Sequence, residues 1–288
     1  VPMTDTTRLD DRDSTIKPTE TGSGRLHPSA EMGVVLVLLP GGTTSVGSKP
    51  PETEDSPPAP YTYGIRDPDE DFFEGVHLDP YLVSKYETTR AQWKRIMGLR
   101  GNSAGDSTAE DSRMPATALS RAEGFEFARR TNLQLPSEVQ WEHACRAGTT
   151  GMFSFASLSD LGQYVNSADA ALLREEPEAY ANGDSDDGFP RLSPVGALRP
   201  NGFGLHDMHG NVWEWCRDDY VTGGSVVPRI GDGLRVWSGG VSDGVIRGGS
   251  WFSAPPQCTS SNRMKYNVPN VDGDLGVRFV RRVERSHT

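Results

Sequence analysis

The sequence predicts a loop-rich α+β domain, and three observations lead there. Glycine and proline are abundant, 32 and 21 in 288 residues, while hydrophobic residues make up only 35%, which argues against a helical bundle. The longest apolar run, Val34 to Leu39, has the length of a strand. Three stretches begin with a hydroxyl residue followed three positions later by Glu or Gln, which is how a helix start is written in sequence.

Residues 1–30 are polar, rich in Thr, Asp, Ser and Pro, and without apolar periodicity; they read as a tail or a linker to a partner domain upstream of Val1. The domain proper is expected over 31–284, with 285–288 a short tail. Val34 to Leu39 (VVLVLL) is a strand apolar on both faces, closed by Pro40-Gly41-Gly42. Lys49 to Pro60, with five prolines, is a surface loop. Val76 to Val83 reads as a strand around a turn. The capping boxes are Thr89…Gln92, Ser120…Glu123 and Ser137…Gln140. They open helices expected to run to Met97, to about Arg130 and to about Ala144. In the second, Ala122, Phe125 and Ala128 fall near one face, and Gly124 costs roughly 1 kcal/mol against Ala, so packing must hold that helix. Trp141 in the third is expected inside. Asn182 to Phe189 (NGDSDDGF) and Val221 to Val245, the latter with seven glycines, are long irregular stretches of the kind that carry function. Val245 to Trp251 reads as a bulged strand and Leu275 to Val280 as a closing one.

Net charge is −11. That excludes a phosphate-binding nucleic-acid surface, which needs clustered Lys and Arg, and suits a cation. No apolar run nears the roughly 20 residues of a membrane span, and no signal peptide is visible, so a soluble protein is expected. Cys145, Cys216 and Cys258 are too few for a disulfide scaffold.

The densest stretch is Asn201 to Tyr220 (NGFGLHDMHGNVWEWCRDDY). Asp207 and Glu214 stand seven apart around Gly210, so side-chain and carbonyl oxygens can converge on a hard cation such as Ca²⁺, which takes six to eight of them. A tight aromatic turn whose acids bond backbone N–H groups is the alternative. Asp184, Asp186 and Asp187, helped by Asn166, offer a second cation position or a solvated acidic loop. His206 and His209 lack a third nitrogen or sulfur ligand nearby, and Ser250 lies in an incomplete nucleophile elbow; these three read as structural.

An ordered series of motifs then resembles the formylglycine-generating enzyme, or sulfatase-modifying factor, family. It comprises LPGG at Leu39, LVSKYETT at Leu82 with Gln92-Trp93, LPSE at Leu135, QWEHACRAG at Gln140, NGFGL at Asn201, GNVWEW at Gly210, RGGSW at Arg247 and GVR at Gly276. It covers roughly residues 32–282. The resemblance implies a C-type lectin-like fold: a small twisted mixed sheet, few helices and much irregular structure. It implies calcium as cofactor, held by Asp207, the Gly210 and Val212 carbonyls and Glu214. A second ion would be held by Asn166, the Ser167 carbonyl, Asp187 and the Phe189 carbonyl.

Members that oxidise a substrate cysteine hold copper between two thiolates. Counted forward from Ser250, those positions fall on Ser253 and Cys258; counted back from Arg263, Cys258 matches instead a cysteine that relatives carry beside a helix cysteine, here Cys145. On either count the copper pair is broken, and a Cys145–Cys258 disulfide or close thiol pair is implied. The expectation is a calcium-stabilised, non-catalytic recognition module for a protein or small-molecule ligand. Its face, between Phe252 and Asp274, includes Phe252, Ser253, Gln257, Ser261, Asn262, Tyr266, Asn267, Asn270 and Asp272, and resembles the displayed segment of variable proteins of diversity-generating retroelements. The alternatives are a copper-dependent oxidase of the family, or an accessory domain of a larger protein.

Overall fold

The computed structural model describes residues 33–48, 70, 72–98, 111–221, 226–236, 243–268 and 271–283. The expected tails and the Lys49–Pro60 loop lie almost wholly or wholly outside them.

The apolar run forms β1 (Leu36–Leu39), buried at three of four positions. It is followed by β2 (Gly42–Val46), which the sequence analysis read only as a closing turn. The strand expected over Val76–Val83 is two strands, β3 (Phe73–Leu78) and β4 (Tyr81–Ser84). Asp79 and Pro80 separate them, and a Cβ on Gly41 would come within 2.6 Å of the Leu78 carbonyl and 2.7 Å of Pro80. That crowding turns the chain from one sheet into another. β3 pairs antiparallel with β2, whereas β4 pairs with β1 and, on its other edge, with β9 (Val280–Arg282).

All three capping boxes form, heading α1 (Arg90–Met97), α2 (Arg121–Thr131) and α3 (Glu138–Arg146); an N-cap side chain typically stabilises a helix start by about 1 kcal/mol. The buried face of α2 is Gly124, Phe127 and Ala128, rotated from the expected one, and Phe125 is 41% exposed beneath Arg121. Phe127 takes the core position because it stacks between Trp93 (5.2 Å) and Phe279 (4.7 Å). Gly124 fits there because an added Cβ would lie 3.3 Å from Val277 and 3.4 Å from Leu135. Two short helices, α4 (Leu161–Tyr164) and α5 (Ala170–Glu175), interrupt the irregular stretch after α3.

The third and largest sheet among the described residues runs β7-β6-β5-β8: β5 (Trp213–Asp219), β6 (Gly244–Arg247), β7 (Arg263–Tyr266) and β8 (Leu275–Gly276), with β5 and β8 parallel. Trp215, on β5, is fully buried and donates its indole N–H to the Leu119 carbonyl at 2.8 Å. A buried ion network ties α3 to this sheet. Glu138 receives Arg263 at 2.7 Å and contacts Arg235, while Glu142 receives Arg247 at 2.5 Å and Arg146 at 2.7 Å. Among the described residues no helix is long and apolar enough to cross a membrane.

Candidate functional site

The loop from Asn201 to Val212 is anchored at its start by one side chain. Asn201 donates to the Ala144 and Cys145 carbonyls at the end of α3, and its oxygen accepts the Phe203 and Leu205 amides. Arg278, wholly buried, holds the next part through the Ser84 and His206 carbonyls at 2.9 and 2.8 Å. The loop then turns through three left-handed residues, Asp207 (φ 57), Gly210 (φ 81) and Asn211 (φ 64), a conformation that Asn and Asp tolerate and Gly prefers.

Asp207 accepts the Gly196 amide at 2.7 Å on one oxygen, and its other oxygen is buried without a partner. Glu214 accepts the Trp141 indole N–H at 2.7 Å and Arg278 at 3.0 Å. A third acid, Glu87, accepts Asn211 Nδ2 at 2.6 Å and the Val212 amide at 3.2 Å. In the sequence Glu87 stands only as part of the Leu82 to Thr89 motif, between Tyr86 and two threonines, with nothing local to mark it as a buried acid. Burial pushes Glu87 well above the usual carboxylate range, with the charges of Asp207 and Glu214 adding to it. Burial likewise pushes Asp207 up to about 6. Three buried carboxylates thus face one guanidinium, an imbalance of the kind that a divalent cation would relieve. Among the described residues no three His, Cys, Asp or Glu side chains are grouped as metal ligands, so a cation here needs backbone oxygens as well.

The second expected position adjoins the first. The Asn166 carbonyl accepts the Asn211 amide at 2.8 Å, and its side-chain oxygen is buried without a partner. Asp187 bonds back to the Ser167 amide at 3.0 Å and caps Phe189 at 2.7 Å, closing the intervening excursion on itself. Asp169, missed in the sequence, receives the Asp187 amide at 2.6 Å from the N-cap of α5. Burial, with Asp169 adding its charge, pushes Asp187 up to about 7. Asp184 and Asp186 are exposed, the latter paired with Arg174.

Ser253, which the forward count from Ser250 placed at the first copper-cysteine position, is buried and shares a 3.1 Å hydrogen bond with Ser250, whose hydroxyl donates to Asp274 at 2.6 Å. Cys145, Cys216 and Cys258 are free and buried. The disulfide between Cys145 and Cys258 is therefore not formed. Both residues instead meet His209: the Cys145 thiol at 3.6 Å from Nε2, and the Cys258 carbonyl accepting from Nδ1 at 2.7 Å. Burial pushes the Cys145 thiol up to about 12 and Cys258 higher still. His206 bonds the Leu198 carbonyl and stacks on Tyr86, so the two histidines serve different neighbours.

The nine residues of the expected face do not form one open surface. Phe252 is 58% exposed beside Trp251, whose ring Arg191 covers at 5.3 Å. Ser253 and Ser261 are buried, because the first joins the Ser250 pair and the Ser261 carbonyl serves the buried Arg247. Asn262 also lends its carbonyl to Arg247, and Gln257 folds back onto the Ala254 amide. Tyr266 sets its ring edge-on to Trp215 and its hydroxyl on Asp272; Asn267 and Asp272 are exposed. Asn270 lies outside the described residues. A cavity of about 10 Å³, room for one water, lies elsewhere, among Gly47, Phe73, Glu138, Glu142, Arg235 and Arg263.

Known proteins are similar to this chain. The formylglycine-generating enzyme of Streptomyces coelicolor is 27% identical over 220 residues, 73% of this chain and 64% of that one. The inactive C-alpha-formylglycine-generating enzyme 2 of Mus musculus is 28% identical over 196 residues, 66% of this chain and 54% of that one. This chain thus spans less than two thirds of either relative's length. Among solved structures, PvdO from Pseudomonas aeruginosa aligns over 87% of this chain and 95% of its own at a TM-score of 0.66 and 24% identity. Treponema denticola variable protein 1 aligns over 89% and 98% at 0.68 and 19%. These share the C-type lectin-like fold expected above. A family model, the sulfatase-modifying factor enzyme 1-like domain, matches residues 24–283. The chain belongs to that family.

Proposed function

We propose that this chain is a calcium-stabilised, non-catalytic recognition module. The observation that carries the non-catalytic part is Ser253. Counted forward from Ser250, a hydroxyl falls where the copper-binding members carry their first thiol, and it is buried against Ser250. Cys258 alone cannot supply the pair of soft thiolates that favours Cu(I), and its burial opposes thiolate formation. Ligand contacts are assigned to the exposed members of the face, Phe252, Asn267 and Asp272, with Tyr266 beside them.

Calcium fits the residues present. Asp207 and Asn166 each leave one buried oxygen without a partner, and such an atom costs about 1–3 kcal/mol when unsatisfied. Asp207, Glu214 and the Gly210 and Val212 carbonyls would hold one ion. Asn166, Asp187 and the Ser167 and Phe189 carbonyls would hold the other. The ions would supply charge neutralisation to loops with little regular hydrogen bonding of their own.

The test is incubation of the chain with copper and a cysteine-containing sulfatase peptide, with mass spectrometry of the peptide. The expected result is an unchanged cysteine; conversion to formylglycine at a measurable rate overturns the non-catalytic reading.

A further inference from the structure

One side chain belongs to both cation positions. Asn211 is 1% exposed and sits between the two residues whose carbonyls complete the first position. Its Nδ2 donates to Glu87 at 2.6 Å and to the Ser193 carbonyl at 3.3 Å. Its Oδ1 accepts Asn166 Nδ2 at 3.1 Å and the Ser193 amide at 2.9 Å. Both amide hydrogens and both lone pairs are therefore in use, which fixes the orientation of the group. The same contact orients Asn166. Its Nδ2 is held by Asn211 and by the Arg191 carbonyl at 3.0 Å, leaving the orphan oxygen as its only free capacity.

The backbones are locked as well. Asn211 N–H reaches the Asn166 carbonyl at 2.8 Å, and a Cβ on Gly210 would stand 1.8 Å from that same oxygen. There is no slack for one loop to order while the other does not.

We infer that the two positions bind divalent cations cooperatively and that Asn211 is the positioning residue that couples them; this rests on the calcium reading above. An ion at the first position draws in the carbonyls on either side of Asn211 and the carboxylates around it. That stabilises the same closed arrangement of the Asn211 amide that aims the Asn166 oxygen into the second position. The ordering cost of the shared loop is met by the first ion, so the second binds more tightly. Repulsion between the ions is offset locally. Glu87, Asp207 and Glu214 surround Arg278 at one position, and Asp169 and Asp187 adjoin at the other.

The test is calorimetric titration of Ca²⁺ into the chelator-stripped full chain. Wild type should take two ions with a Hill coefficient above one. Asp187→Ser should weaken the remaining ion by about ten-fold, and Asp207→Ser should weaken its remaining ion by the same factor, since coupling is reciprocal. In an Asn211→Ala background each deletion should change the other position by less than about two-fold. Asn166→Asp, which keeps the ligand oxygen but removes the donor to Asn211, should uncouple the positions in the same way if Asn211→Ala does not fold. Two ions that bind independently in wild type, or coupling that survives in the uncoupling variants, overturn the inference and leave calcium binding standing. No calcium heat in wild type overturns calcium binding and the inference together.

Discussion

Gly210→Ala and Gly204→Ala make a matched pair that isolates one physical effect. Both glycines are left-handed, at φ 81 and φ 79, so each alanine bears the same backbone penalty of about 1–2 kcal/mol. At Gly204 nothing lies within 4 Å of the added Cβ, whereas at Gly210 the Asn166 carbonyl oxygen would be 1.8 Å away. To clear it the two loops must part by at least about 1 Å. That breaks the Asn211–Asn166 and Gly210–Gly248 backbone bonds, both 2.8 Å, at about 1 kcal/mol each. The expected losses are then about 1–2 kcal/mol for Gly204→Ala and about 3–4 kcal/mol for Gly210→Ala. For a domain of this size 1 kcal/mol moves Tm by about 2–4 °C. Differential scanning calorimetry should show drops of about 5 °C and about 10 °C or more, respectively. Equal drops would mean that the close approach at Asn166 contributes nothing beyond the backbone conformation.

Three further outcomes are expected. Chelation should lower Tm, since a ligand bound only to the native state stabilises it by about 2.7 kcal/mol at a hundredfold excess over Kd. Asp207→Ala should lose much of that calcium response; a melting curve indifferent to chelator, with no metal by elemental analysis, would sink the calcium assignment. Glu138→Gln strands buried guanidiniums and should cost about 3–5 kcal/mol in urea unfolding. Burial alone would raise the Glu138 carboxyl, yet Arg235, Arg263 and Arg247 outweigh it and hold it well below its ordinary range. Its contribution is therefore present above the unfolded carboxylate pKa and lost as pH falls through the folded one. A stability unchanged within about 0.5 kcal/mol would contradict that role. His143 is pushed down to about 4 by burial. The unfolded chain therefore binds its proton first, and the His143 contribution to stability should fall as pH drops from about 6.5 toward 4, by at most about 3 kcal/mol, against the opposite contribution of the raised Asp187 and Asp207 carboxyls. His143→Gln should flatten that part of the wild-type profile; identical slopes would show that the imidazole does not titrate there.

What was legible in the sequence was what is decided locally. The capping boxes at Thr89, Ser120 and Ser137 involve residues three apart, and all formed. The first strand announced itself through apolar residues buried at most positions, whereas the closing strand expected over Leu275 to Val280 is divided between β8 (Leu275–Gly276) and β9 (Val280–Arg282). β5 did not announce itself, because WEWCRDD mixes aromatic, acidic and basic side chains. Its acids are buried by distant partners, Glu214 by Trp141 and Arg278 and Asp218 by the Glu138 and Arg235 amides. The rotated face of α2 has the same origin: nothing near Phe127 in sequence says that Trp93 and Phe279 will stack on either side of it. At the cation positions Asp207 and Asn166 stood out by spacing and resemblance. Glu87 lies 120 residues before Asp207 and becomes a neighbour only through the fold. Ser253 and Ser261 looked like display residues because small polar side chains suit a surface equally well as a buried hydroxyl pair or a carbonyl lent to Arg247.

The pairing of β4 with β9 has a consequence for how the chain is made. The Ser84 hydroxyl reaches the Phe279 carbonyl across 195 residues, and Arg278, from the same late segment, is the guanidinium that meets Glu214 among the three buried acids. During synthesis, at about 5–20 residues per second, the ribosome delivers Glu87, Asp207 and Glu214 well before their counter-charge. For that interval β4 keeps unpaired the edge that β9 later covers. A nascent chain in this window exposes both a strand edge and an uncompensated acidic cluster.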